Sequence, residues 1–75
     1  MFDVEVENSS MIQLRHIQSD AAIVLWNGTD EYQITPGFNP DAPLDADNRQ
    51  AVEAFVGEAR KFIAERNARR KRMKH

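Results

Sequence analysis

Two histidines, twelve carboxylates and ten bases are the residues of this 75-residue chain that could do chemistry, and their spacing favours binding over catalysis. His16 falls in a predicted strand and His75 at the chain end, and neither has a serine or carboxylate at a spacing typical of a catalytic triad. Asp20, Asp30, Asp41, Asp45 and Asp47 mark turns and a helix start, where carboxylates serve local hydrogen bonding. Acid and base roles for paired carboxylates require environments that separate their pKa values, and a small open sheet offers little burial to do so. Asp41 to Asp47 lacks the alternating oxygen ligands, glycine and terminal glutamate of a calcium loop, and no Cys/His cluster exists. A non-enzymatic protein without cofactor or metal is expected.

The bases are distributed unevenly. Eight of the ten, Arg60, Lys61, Arg66, Arg69, Arg70, Lys71, Arg72 and Lys74, lie in the last sixteen positions. Residues 1–59 carry eleven carboxylates against Arg15 and Arg49, a net of −9, while residues 60–75 carry eight bases against Glu65, a net of +7. The overall charge of −2 therefore hides a dipole. Charge segregated this way steers partners more than it selects a fold. Arg69 to Arg72 has the charge density for phosphate, yet no aromatic is interleaved for base stacking, and the acidic remainder repels a polyanion. A protein partner with acidic and basic patches suits both halves; nucleic acid is the alternative. Cations at a helix C-terminus also complement its dipole, which supplies a purely structural reason for the basic run.

Elements must position these charges. Phe2, Val4 and Val6 alternate with Asp3, Glu5 and Glu7, the period-two pattern of a strand with one wet face. Asn8-Ser9-Ser10 is turn chemistry, and Met11 to about Ile17 reads as a second strand. Gln18-Ser19-Asp20 is a hairpin loop before a third strand, Ala21 to Trp26. Asn27-Gly28 signals a tight turn in which both residues tolerate positive φ, with Glu31 to Thr35 returning. Pro36 to about Ala46, with three prolines and a glycine, is an irregular crossover. Asp47 followed by Gln50 matches a capping box, with Asp45 as the other candidate cap. Val52, Phe55, Val56, Ala59, Phe62 and Ile63 then form one apolar stripe of a helix. The predicted fold is α+β: a three- to four-stranded antiparallel meander followed by one C-terminal helix, with residues 1–67 as a single domain and 68–75 as a flexible basic tail that fails to pack on the core.

A helix covers one sheet face, so the other is polar or open to a partner. If Ile23 and Leu25 face the helix, Val24 and Trp26 point away, and Trp26 becomes a candidate interface anchor; the reversed register would put both in the core. Phe38 either pins the crossover or presents an aromatic to a partner. The candidate partner-binding residues are therefore Trp26, Phe38 and the eight C-terminal bases. A chain this short buries only about 60% of its unfolded surface, so binding by an open surface, as a monomer, is expected. There is no cysteine to reinforce the core. The acidic N-terminus followed by no apolar segment, with Ala21 to Trp26 as the longest apolar run, predicts a soluble cytoplasmic protein.

Ser9-Ser10-Met11-Ile12, then Val24-Leu25-Trp26-Asn27-Gly28 and Tyr32, resemble the first half of KTSC-type domains, which carry a serine pair before a hydrophobic strand, then a strand ending in an aromatic, a glycine turn and a tyrosine. The likeness covers about residues 9–36; the proline-rich crossover and long basic helix depart from that family's short helix and aromatic ending. The whole plan, a cysteine-free acidic sheet domain with a basic helical tail, is also similar to small bacteriophage proteins of the Xanthomonas phage type that bind and inhibit the host's RNA polymerase. This resemblance implies a transcription regulator that occupies a polymerase surface in the host cytoplasm. Direct nucleic-acid binding through residues 60–75, or a part in virion structure and assembly, are the alternatives.

Overall fold

A computed structural model describes residues 1–37, 39, 41 and 44–72, with helix side chains described through Arg70. Four strands form one antiparallel sheet in the order β1-β2-β3-β4: β1 (Phe2–Glu7), β2 (Met11–His16), β3 (Ala22–Trp26) and β4 (Tyr32–Thr35), followed by α1 (Arg49–Arg72). The α+β meander expected from alternation is the fold, with all four strands present. Phe38 lies outside the described residues, as do Met73, Lys74 and His75.

Local chemistry sets the turns. Asn8 Oδ1 accepts from the Ser10 and Met11 amides at 2.8 and 3.0 Å, closing the β1–β2 turn. Between β3 and β4 only Gly28 adopts positive φ, at 76°, and the Thr29 amide donates to the Trp26 carbonyl at 3.4 Å. The turn thus spans residues 26–29 with glycine at its third position, rather than the two-residue Asn-Gly hairpin predicted. Gly37 in the crossover passes so close to the β2–β3 loop that a Cβ there would sit 1.9 Å from the Ser19 carbonyl oxygen. Asn39 adds a side-chain hydrogen bond to the Gln18 carbonyl. Gly37 and Asn39 of the crossover are therefore docked on the β2–β3 loop.

The helix cap lies one residue beyond Asp47 and three beyond Asp45, the two predicted caps. Asn48 Oδ1 accepts from the Gln50 and Ala51 amides at 3.0 and 3.2 Å, and its carbonyl accepts from Val52. Asn48 is the N-cap; Asp45 instead closes a turn with the Asp47 amide at 3.1 Å, so Asp47 does not cap. The predicted stripe faces the sheet. Phe55, Val56 and Ala59 are buried against Phe2, Ile12, Leu14, Ile23 and Leu25, with Val52, Phe62 and Ile63 at the margin. This fixes the register left open in the sequence: Ile23 and Leu25 face the helix, and Val24 and Trp26 lie on the far face.

One strand departs from simple alternation. β1 pairs Val4 with Leu14 but Val6 with Gln13, so Glu5 is the extra residue of a β-bulge. After the bulge the faces exchange: Val6, predicted to join Phe2 and Val4, lies opposite Gln13 and is 44% exposed, while Glu7 lies opposite Ile12 on the helix side. This reversal brings a carboxylate under the C-terminal half of α1.

Gly57 is the converse of Gly37. It sits in the middle of α1, and a Cβ there would meet nothing within 4 Å. Gly57→Ala is expected to stabilise the protein by about 0.5–1 kcal/mol through helix propensity and to raise Tm by several degrees, readable by thermal circular dichroism.

Candidate protein interface

The two ends of the sheet differ, and the helix runs from one to the other. Near its start, Phe55 packs on Phe2 and on His16 at ring-centroid distances of 5.6 and 5.3 Å, beside the β2–β3 loop. Near its end, α1 passes the β1–β2 and β3–β4 turns, with Arg60 reaching Asp30 and Arg66 reaching Glu7. At about 1.5 Å per residue its 24 residues span about 36 Å, roughly twice the length of the strands. The surplus overhangs the turn end. Residues 67–70 are exposed there, and the helix is unbroken through Arg72, so residues 68–72, expected in a flexible tail, continue α1. Ala68, Arg69 and Arg70 are strong helix formers, and their cations match the C-terminal end of the helix dipole.

Arg66 and Arg70 are not free arms. The Arg66 guanidinium donates to both Glu7 oxygens at 2.7 and 2.8 Å, and Arg70 adds a third bond at 3.3 Å. The basic run, expected to have nothing to pack on, is thus tied to β1, because the bulge turned Glu7 toward the helix. Arg66 is the least exposed of the described bases in the run, at 25% for its side chain, and serves the fold first. The paired guanidinium holds the Glu7 carboxyl well below its ordinary range, at about 2, chiefly through the Arg66 hydrogen bonds. Arg69 and Lys61 are exposed. Lys71 and Arg72 continue the helix, their side chains lying outside the described residues together with all of Lys74.

The face away from the helix is uncovered among the described residues. Met11 pairs with Trp26, and Val24 lies between Gln13 and Gln33, so a half-buried apolar strip runs along β3 from Val24 to Trp26, with Met11 beside its end and amides flanking Val24. At the β1 edge Glu5 accepts from Gln13 Nε2 at 3.1 Å and Arg15 Nε at 3.0 Å, and Arg15 also reaches Asp20. These bonds lower the Glu5 pKa, with Arg15 the main cause. Trp26 and Met11 stand at the same end of the sheet as the helix overhang. The structure therefore brings Trp26 into one neighbourhood with Arg60 and the helix end, whereas Lys61 flanks the opposite groove with Met1, Phe2 and His16.

Sequence spacing missed one contact. The Ser19 hydroxyl lies 2.7 Å from His16 Nδ1, and the Ser19 amide donates to the same nitrogen at 3.3 Å, so Nδ1 is the acceptor and Nε2 carries the proton of a neutral ring. A serine three residues after a histidine across a tight loop was the available signal. Ser19 is 4% exposed and its oxygen accepts from the Ala21 amide at 3.3 Å. The hydroxyl is thus engaged on both sides in closing the loop.

These groups make stability pH-dependent in two steps. Burial lowers the His16 pKa from 6.5, with the N-terminal ammonium adding to the effect and Glu58 opposing it. The fold prefers neutral His16, so its contribution is complete above about pH 6.5 and lost as pH falls through the lowered value. The Glu7 contribution is complete above pH 4.5 and lost as pH falls toward 2. Urea midpoints measured across pH should decline in these two windows. His16→Gln should flatten the upper decline and Glu7→Gln the lower.

Among the described residues no group of three or more His, Cys, Asp or Glu is placed to hold a metal ion, and no helix is long and apolar enough to cross a membrane. No family model, curated protein or solved structure matches the chain.

Proposed function

We propose that this chain is a non-enzymatic regulatory protein that docks on a large protein complex and modulates transcription, bacterial RNA polymerase being the complex that the phage-inhibitor resemblance implies. The observation that carries the reading is the juxtaposition, at one end of the molecule, of an uncovered apolar strip ending in Met11 and Trp26 with an overhanging basic helix. Tryptophan and arginine are the residues most enriched at interface hot spots. Four strands about 4.8 Å apart and about five residues long give a face of roughly 320 Å², less than half the roughly 800 Å² per partner of a stable interface. The partner must extend past the sheet onto the turns and the helix end. A large complex with mixed charge suits such a footprint.

Tagged protein incubated with bacterial lysate at moderate salt is expected to retain polymerase subunits. Reproducible capture of another complex, without polymerase, would sink the polymerase assignment. Direct nucleic-acid binding is the second reading, favoured by the exposed Arg69 on the overhang. Its signature is an affinity that falls linearly in log salt with a slope set by the phosphates neutralised, and a flat response eliminates it.

A further inference from the structure

Shallow grooves flank α1, and they differ in charge. The ones beside His16 and Phe62 include Glu58 or Glu65 in their walls. The groove between the β3–β4 turn and α1, about 310 Å³, has no carboxylate in its lining. Ile12, Leu25, Ile63 and Ala64 give it an apolar surface, and Arg60 supplies its one charged wall residue. Arg60 is held only loosely: its guanidinium donates to the Asp30 carbonyl at 3.2 Å and lies 4.0 Å from a fully exposed Asp30 carboxylate. Such a pair in water is worth little and is readily exchanged for another carboxylate. Past the groove α1 continues through Asn67; of the next bases, Arg69 lines the groove on the opposite flank with Glu65, and Arg70 is bonded to Glu7 on β1.

Resting on the protein-docking reading above, we infer that this groove receives an acidic segment of the partner protein, with one bulky apolar side chain seated against Ile12, Leu25 and Ile63 and a neighbouring carboxylate displacing Asp30 from Arg60. Charge complementarity selects the occupant. A basic segment would meet Arg60, the one charge in the lining, and be repelled. A nucleic acid finds the cations, but the groove has no row of aromatic faces for bases, and a long polyanion also meets the net −9 of residues 1–59. A short acidic segment places its charge at Arg60 alone. At about 310 Å³ the groove is at the small end of ligand sites, suited to a single anchoring side chain.

The test titrates the full chain, 15N-labelled, with short synthetic peptides in which one of Leu, Ile, Met, Phe or Trp is flanked by glutamates, alongside versions with serine at the anchor, versions with lysine for glutamate, and a single-stranded oligonucleotide. At least one anchored acidic peptide is expected to shift the Gly28, Ala64 and Asn67 amides saturably, with the serine and lysine versions inactive. Ala64 is exposed, so both Ala64→Glu and Ala64→Lys leave the core intact. The first should weaken the active peptide about tenfold and the second should not, because only the former repels the carboxylates. The inference is overturned if no anchored peptide shifts those amides, if serine serves as well as the apolar anchor, if both Ala64 variants behave alike, or if only the oligonucleotide moves the groove. Polymerase capture is read separately: its persistence alongside peptide failure would overturn the groove and leave the docking reading standing, whereas groove binding without polymerase capture would sink only the polymerase assignment.

Discussion

Leu14→Ala and Ile23→Ala together should leave the chain unfolded at 25 °C. Both side chains are fully buried and they are paired across β2 and β3 beneath α1, so each truncation opens a cavity at the centre of the only core among the described residues. A single large-to-Ala change of this kind costs about 2–5 kcal/mol. A domain of this length has about 4–11 kcal/mol in all, at roughly 0.05–0.15 per residue. Because the two positions touch, their costs combine non-additively, but a joint loss approaching about 4–10 kcal/mol is comparable with the whole stability. Gln33→Ala, on the uncovered face opposite Val24, should change stability by less than about 0.5 kcal/mol. Urea titration of each single variant, with an amide NMR spectrum of the double variant, checks the prediction. A cooperative transition retained by the double variant would mean that the sheet's other face contributes a second core.

What the sequence disclosed follows from what periodicity can encode. The stripe Val52, Phe55, Val56, Ala59, Phe62, Ile63 identified both the helix and the face it buries, since a single 3.6-residue period over three turns admits one orientation. The β3 register was ambiguous because Ala22 to Trp26 is apolar on both faces, and only packing against Phe55 and Val56 selects Ile23 and Leu25 for the core. The bulge at Glu5 was invisible: period-two alternation continues through Phe2 to Glu7, and the extra residue is imposed by pairing with β2, where Glu5 finds Arg15 and Gln13. That hidden shift had a consequence for the candidate site, because it delivered Glu7 to Arg66 and converted part of a presumed free arm into a clasp. The cap was missed for a simpler reason. Asp45, Asp47 and Asn48 are all competent, and the geometry of the crossover chooses among them. Trp26 at an uncovered surface was legible as one of two registers; the groove between Gly28 and Ala64 was not, since it joins residues 36 positions apart.

The division of labour between anchor and helix end gives the second large effect, on the binding to polymerase that the proposed function expects. Trp26→Ala should weaken the complex by about 2 kcal/mol or more, roughly thirtyfold, because a large side chain half-buried beside Met11 offers the one aromatic on the strip that a partner can desolvate fully. The loss should appear as faster dissociation, since truncating an apolar anchor leaves the long-range field unchanged. Deleting residues 69–75 removes five of the ten basic residues and one of the two arginines on Glu7, while Arg66 keeps its paired bonds. The thermal transition should therefore move little, as the apolar side chains packed on the core among the described residues precede the cut. Association should slow instead, and the slowing should shrink as salt rises, because charge that steers encounter is screened over about 10 Å at 0.1 M salt. Surface-immobilised polymerase with the full chain, Trp26→Ala and the truncation in solution, run at two salt concentrations, separates the rates. Dissociation unchanged by Trp26→Ala would remove the sheet face from the interface, and a melting transition that collapses on truncation would show that the overhang holds the fold through more than Glu7.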